Sequence, residues 1–413
     1  FTEDKNTDIV HKGKYLGLTE ENKKSPKGNP VGIDYLKSLG ITHLQLLPVL
    51  DYGSVDENSN DYNWGYDPMQ FFALEGSYST NPNDPYSRIV EFKQLIDKLH
   101  SASIKVILDV VYNHIYKINN FSLNKITPNY FFRIEEDKLA DHSWCGNDFQ
   151  TERAMARKII VDSVMYLLQT FDVDGFRFDL MGLIDVDTMN EITTKVNKYK
   201  SFAMIYGEGW DMFAVSNYGA KFANYKNADL LTNIAFFNDS YRNTARGTGS
   251  KAALDEKGYL LGNKTYLDGF KYAFSGSVND YPFPHLFTSL FDVVNSCDNE
   301  ENPLKTVKFI NKVLLLSPGI AFIHMGQEFG QSKNNNCNSY NSGDTFNQFN
   351  VDLMDERISM VDSLKEIIKF RKANIICNES VSFEQDNENL YIKLNNCNLT
   401  IDSINKKCLI FNK

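Results

Sequence analysis

The sequence predicts an α/β chain: a (β/α)8 barrel of the TIM type, followed by a short antiparallel β-sheet. Three observations carry this expectation. Short apolar runs alternate with segments of helical periodicity over residues 29–372. Polar and charged residues gather at the C-terminal ends of those runs, where such barrels place their sites. From residue 373 onward, short alternating segments (VSFEQ, LYIKL, CLIFN) read as a small antiparallel sheet. The expected organisation is a barrel over 1–372, with an excursion at about 115–150, and a partial β domain over 373–413.

The elements follow in order. Residues 1–28 are polar, rich in Lys, Asn and Gly, and read as a loop. Asn29 can cap a helix, Pro30 suits its first position, Ile33, Leu36 and Leu39 share a face, and Gly40 ends it. ITHLQLLPV (41–49) is apolar almost throughout, as parallel strands are. Residues 50–85 form a long loop containing YNWGYDP (62–68). Ile89, Phe92, Ile96 and Leu99 recur at helical spacing over 86–100. IKVILDVVYNH (104–114) is the next strand, and residues 115–150 are irregular. A helix over 152–170 leads into GFRFDLMG (175–182). Phe176, Phe178 and Leu180 occupy one face of that strand, and Arg177 and Asp179 the other. SFAMIYGEGW (201–210) is a strand ending in Glu208, and 230–240 is a further strand. Residues 241–290 are loop-rich, and DVVNSCDN (292–299) reads as a strand ending in Asp298. Asn302-Pro303 starts a helix running to about residue 316. GIAFIHMGQE (319–328) is a strand, a polar loop reaches residue 350, and residues 356–372 are helical. The strands are therefore 43–49, 105–111, 175–180, 203–208, 230–237, 293–298 and 320–326. That is seven, whereas a closed barrel of this type needs eight.

Composition narrows the function classes. At 413 residues, 42% hydrophobic and 13% aromatic, the chain is long enough for a large barrel with a sizeable core. A net charge of −10 argues against a nucleic-acid backbone or an anionic membrane as partner. No apolar run is long enough to span a bilayer. Cys145, Cys297, Cys337, Cys377, Cys397 and Cys408 are scattered without a Cys-x-x-Cys pair, which favours a reducing compartment. No signal peptide is visible at Phe1. The expectation is a cytoplasmic monomer, with secretion left open.

The chemistry lies at the strand ends: Asp109, Asn113 and His114; Arg177 and Asp179; Glu208; Asp298. A guanidinium beside Asp179 would stabilise its ionised form, as a nucleophile requires. Three carboxylates at one barrel mouth suit hydrolysis of a glycosidic bond, which takes one carboxylate nucleophile and one protonated carboxyl. Each residue also has an ordinary structural explanation. Arg177 and Asp179 could be a strand-end ion pair. His114 and Trp210 could be core residues, Tyr66 and Trp64 loop packing, and Asp298 a cap for the helix at Asn302-Pro303.

DVVYNH, GFRFDLMG and YGEGW resemble three signature segments of the α-amylase superfamily, glycoside hydrolase family 13. YNWGYDP narrows the resemblance to the type I pullulanases, and the likeness runs from KGKYLG (12–17) to the polar loop near 350. The resemblance implies retaining cleavage of α-1,6 branch points in α-glucans such as pullulan, glycogen and starch limit dextrins. It implies Asp179 as nucleophile, Glu208 as general acid and then base, and Asp298 as transition-state stabiliser. Arg177 would position the nucleophile, with Asp109 in support and His114 hydrogen-bonding the sugar. Tyr66 would stack on that sugar, Trp210 would form an acceptor-side platform, and Asp344 a donor-side contact. No organic cofactor is implied. Ca²⁺ is possible, with Asn147 and Asp148 as oxygen ligands if they are not simply turn residues.

Two departures stand out. Cys297 occupies the place where the family usually carries a histidine; losing a transition-state donor there would cost about 2.7–4 kcal/mol. The family's first barrel strand and its amino-terminal sugar-binding modules have no counterpart, so the expectation is an N-terminally truncated chain whose open barrel edges need filling. The alternatives are another superfamily glucan hydrolase (isoamylase, α-amylase or branching enzyme), a catalytically impaired glucan-binding homologue, and a purely structural barrel.

Overall fold

The computed structural model describes residues 1–212, 218–248, 255–276, 289–297, 302–377 and 379–412. Its centre is a parallel sheet of β1 (His43–Leu46), β2 (Lys105–Val110), β3 (Gly175–Phe178), β4 (Met204–Gly207) and β5 (Ala235–Phe236), in sequence order. Parallel neighbours need a crossover, and helices α2 (Pro85–Ser101), α3 (Ala154–Phe171) and α4 (Val186–Tyr199) supply three of them. Helix α1 (Gly32–Leu39) precedes β1.

Local chemistry sets these boundaries. Asp84 caps α2 through the Tyr86 amide at 3.0 Å, with Pro85 in the first turn. Asp185 caps α4 through the Thr188 amide at 3.0 Å. Gly40 closes α1 at φ 73°. Val106, Leu108 and Val110 of β2 and Phe176 and Phe178 of β3 are buried in one core with Ile96 and Leu99 of α2 and Ile160, Val164 and Leu167 of α3. Helix α4 lies in a stretch to which the sequence expectation assigned no element. Its signal was present in Val186, Met189, Ile192 and Val196, which share a buried stripe.

A second core lies beyond the sheet. Helices α5 (Asp239–Arg246), α6 (Leu267–Phe274), α7 (Leu290–Cys297) and α8 (Pro303–Leu316) precede α9 (Ile358–Asn374). An antiparallel sheet of β6 (Ser382–Gln385), β7 (Leu390–Lys393), β8 (Cys397–Asp402) and β9 (Lys407–Asn412) ends the chain. Leu390, Ile392, Leu399 and Ile401 alternate inward and pack with Phe270, Phe274, Val307 and Val313.

Four expectations need correction. Residues 293–298 are not a strand: through Cys297 they belong to α7. Leu290, Val293, Val294 and Cys297 recur at i, i+3, i+4 and i+7 and are all buried, and a short apolar run cannot show its period unless its flanks are read with it. Among the described residues, 320–326 pair in no ladder, and 290–297, their expected neighbour, are helical. Helix α1 starts at Gly32 with Val31 as cap, so Asn29 and Pro30 stay outside it, and Asn29 donates to Asp355 at 2.7 Å instead. Residues 241–290 hold α6 and parts of α5 and α7 rather than loop alone.

The described residues therefore form a barrel wall of five strands. Among them, no strand pairs with the outer edge of β1, as the count of seven anticipated. Residues 1–28 carry no strand and clasp the segment before α9. The Phe1 and Phe349 rings lie 4.9 Å apart, the Val351 amide donates to Asp4 at 2.9 Å, and Ser25 donates to Asp355 at 2.7 Å.

Candidate active site

The site begins as a row across the sheet. Register aligns Asp109 of β2 with Arg177 of β3, and Arg177 with Tyr206 of β4. Arg177 is buried, and its guanidinium holds three carboxylates. Nη1 lies 2.8 Å from Asp109 Oδ1 and 2.9 Å from Asp179 Oδ1, and Nη2 pairs with Glu208 Oε1. Asp179 and Glu208 thus share one guanidinium, each paired with a different Nη. Asn113 donates to Asp179 Oδ2 at 2.9 Å and to the Asp179 carbonyl at 2.9 Å. The Leu180 amide donates to Glu208 Oε2 at 3.0 Å.

Backbone geometry at the end of β3 creates that last contact. Leu180 has φ 40°, a left-handed conformation that a non-glycine residue keeps only when its surroundings enforce it. The Gly182 amide donates to the Glu208 carbonyl at 2.9 Å, and a Cβ at Gly182 would stand 2.0 Å from the Trp210 carbonyl oxygen. The absent side chain lets the loop after β3 lie against the loop after β4, which brings Glu208 to Arg177.

Electrostatics then separates the carboxyls. One cation faces three acids, so full ionisation would leave uncompensated negative charge in a buried place. Burial pushes Glu208 up to about 8, with the charges of Asp179 and Asp109 adding to it against the opposing pull of Arg177. Burial pushes Asp109 up to about 6, where the Asp179 charge adds and Arg177 opposes. Burial thus favours the protonated form at Glu208 more strongly than at Asp109.

The structure brings Tyr66 and His114 to this cluster. Tyr66 donates to Asp109 Oδ2 at 2.8 Å, and Arg177 lies over its ring at 5.7 Å. His114 is buried, with Nε2 2.9 Å from the Tyr66 carbonyl and Nδ1 2.6 Å from Asn113 Oδ1. A hydrogen bond from His114 to a sugar would require exchanging one of these partners. Trp210 stands one step away: Nε1 donates to Asp239 at 2.8 Å, and the ring packs by Leu183, Met212 and Phe222. Asp344 opens a short helix (Asp344–Asn347) near Tyr62, on the flank where the Trp64 amide donates to the Tyr340 carbonyl at 3.1 Å. No described hydrogen bond ties Asp344 to the Arg177 cluster. Asp298 lies outside the described residues. Cys297 is buried at the end of α7, its Sγ 3.8 Å from the Glu256 carbonyl.

Two supporting residues escaped the sequence analysis. Gln45 of β1 donates to Asp109 Oδ2 at 3.2 Å and accepts from the Tyr206 hydroxyl at 2.6 Å. Their signal was a polar side chain inside each of two otherwise apolar strands.

Asn147 and Asp148 do not fit a cation. Asn147 Oδ1 accepts from the Ile115 amide at 3.0 Å, and Asp148 accepts from the His142 and Ser143 amides at 2.9 Å each. Oxygens facing N–H donors are not turned toward a metal. Asp51, Glu57 and Glu75 also converge, but Arg88 grips Glu57 through two bonds of 2.6 Å and supplies the positive charge there.

The family model for the alpha amylase catalytic domain matches residues 27–130. A pullulanase from Bacillus subtilis (strain 168) is 38% identical over 395 residues, covering 91% of this chain and 55% of that protein. A crystal structure of pullulanase from Paenibacillus barengoltzii, in complex with maltohexaose and alpha-cyclodextrin, superposes with a TM-score of 0.90 at 33% identity, over 97% of this chain and 68% of that one. The chain belongs to the pullulanase family. Pullulanase from Anoxybacillus sp. LM18-11, solved with maltotetraose, gives a TM-score of 0.91 at 35% identity, over 98% of this chain and 63% of that one. This pullulanase-family chain spans little more than half the length of its Bacillus subtilis relative.

Proposed function

We propose that this chain is a retaining glycoside hydrolase that cleaves α-1,6 branch points of α-glucans. The observation that carries the reading is the Arg177 cluster, in which Asp179 is presented by Arg177 and Asn113 while Glu208 retains a proton. A carboxylate oxygen of Asp179 attacks the anomeric carbon as Glu208 gives its proton to the departing glycosidic oxygen. Water then attacks the glycosyl ester, Glu208 takes its proton, and Asp179 is released. Retaining enzymes hold these carboxyls about 5–5.5 Å apart, and the proposal draws support from their sharing the two Nη atoms of Arg177. In this proposal Asp298 stabilises the transition state. Asp109 and Arg177 orient the nucleophile, Tyr66 and His114 meet the cleaved sugar, and Trp210 and Asp344 flank it.

The reaction as proposed uses no organic cofactor and no metal. A soluble monomer acting in the cytoplasm completes the proposal, on the strength of the acidic balance and six scattered cysteines. Among the described residues, no helix is long and apolar enough to cross a membrane. The test is incubation with pullulan, amylose and branched glucan. Maltotriose from pullulan is the expected product, whereas short oligomers from amylose would move the assignment to amylase. A second reading, a glucan-binding homologue without turnover, draws on the helical conformation of 290–297, where the catalytic scheme calls for a strand end. Binding of pullulan with no new reducing ends would establish it.

A further inference from the structure

Three tryptophans occur in the chain, and the structure treats one of them differently. Trp64 donates to Asn347 at 3.2 Å and Trp210 to Asp239 at 2.8 Å. Trp144 is 66% exposed, and no described hydrogen bond or ring contact holds it. Its φ is 58°, in the left-handed region that bulky side chains rarely enter. Water gains nothing from an indole held out in this way, and the strain has to be enforced by neighbours.

The neighbours are a rigid frame anchored beside Asp179. Asp148 accepts from both the His142 and Ser143 amides at 2.9 Å, and Ser143 Oγ donates to the Asn147 carbonyl at 2.9 Å. The Gly146 amide donates to Asp141 at 2.7 Å. Asn147 clasps Ile115 through its amide at 3.0 Å and its carbonyl at 2.7 Å. The Phe149 amide donates to the carbonyl of Asn113, the same residue whose side chain holds Asp179. The loop is therefore anchored beside Asn113 and Asp179, and it exposes one large aromatic ring that no described hydrogen bond or ring contact holds.

We propose that Trp144 is a sugar-stacking platform, a binding subsite on the rim of the catalytic cleft for an α-linked glucosyl unit of the substrate chain. Indole presents a broad apolar face suited to the apolar face of a pyranose, and the bonded loop fixes the backbone from which it projects. The proposal rests on the glucan reading above. It adds a contact that none of the signature segments contains.

The test is affinity electrophoresis through pullulan-containing gels, with an Asp179→Asn background to prevent hydrolysis. Trp144→Ala should weaken retardation by about tenfold in apparent affinity. Trp144→Phe, which keeps a ring on the same frame, should recover most of it. If Trp144→Ala is retarded like its parent, the platform is refuted and the glucan reading stands. Equal loss in the Ala and Phe variants would also refute it, by assigning the effect to the loop's fold. If the parent itself is not retarded, the glucan reading fails and takes the platform with it.

Discussion

Glu208 shares one guanidinium with Asp179 and Asp109, and the proposed hydrolysis needs one of the three acids to hold a proton. Burial assigns it to Glu208, whose pKa stands at about 8. Turnover should therefore fall as pH rises through about 8, and a pH profile of kcat on pullulan checks this. An acid limb at or above pH 8 would contradict the assignment. Glu208→Gln should lower kcat by roughly 10²–10⁴. The same group makes a stability statement. Its folded pKa lies above the ordinary 4.5, so the folded state binds the proton more tightly. The stabilising contribution is complete below about pH 4.5 and is lost as pH rises through about 8. Glu208→Gln should accordingly raise Tm at pH 9, by the equivalent of a few kcal/mol, and have little effect at pH 5. Thermal melts at the two pH values decide it. Arg177 and the proposed nucleophile Asp179 were legible together, because side chains two apart on a strand share a face. Gln45 and Tyr206 were not read, because their partner Asp109 lies on another strand and only register brings them together.

At the scale of elements, caps and core positions carry the testable claims. Asp185 caps α4 and also accepts from Arg157 at 2.9 Å while buried. Asp185→Ala should cost about 1–2 kcal/mol, read from the midpoint of a urea melt. A midpoint unmoved by the change would show that α4 does not depend on its cap. Leu399, buried in β8, should cost about 2–5 kcal/mol on truncation to Ala, because the C-terminal sheet shares its core with α8. A loss below about 1 kcal/mol would show that the two do not unfold together. Helices α2, α3, α8 and α9 were legible because each is long, amphipathic and flanked by turn residues. Helix α7 was not, since eight residues with an apolar centre satisfy a strand pattern as readily as a helical one.

At the scale of the whole molecule, the parallel sheet has two open edges among the described residues. Apolar side chains stand exposed near them: Leu47 at 43%, Ile320 at 61% and Phe322 at 43%. Unpaired edges and exposed apolar groups favour association, and a net charge of −10 opposes it. Light scattering should show association that grows with salt, as screening removes the repulsion. Phe322→Ser should reduce it. Scattering independent of salt would mean that these groups are covered in solution.

The sequence by itself determined the strands β1 to β4 and the helices α1 to α3 in their order, the acidic residues Asp109, Asp179 and Glu208 at the ends of β2, β3 and β4, and the family to which they belong. Each of these is written in local periodicity or in contiguous motifs. The tertiary structure decided which carboxyl keeps the proton, because that depends on burial and on three charges brought together from β2, β3 and β4. It also decided that 293–297 is helical, and that no described strand lies beside 320–326. A strand exists only with a neighbour to complete its hydrogen bonds, and the identity of that neighbour is not encoded within the segment itself.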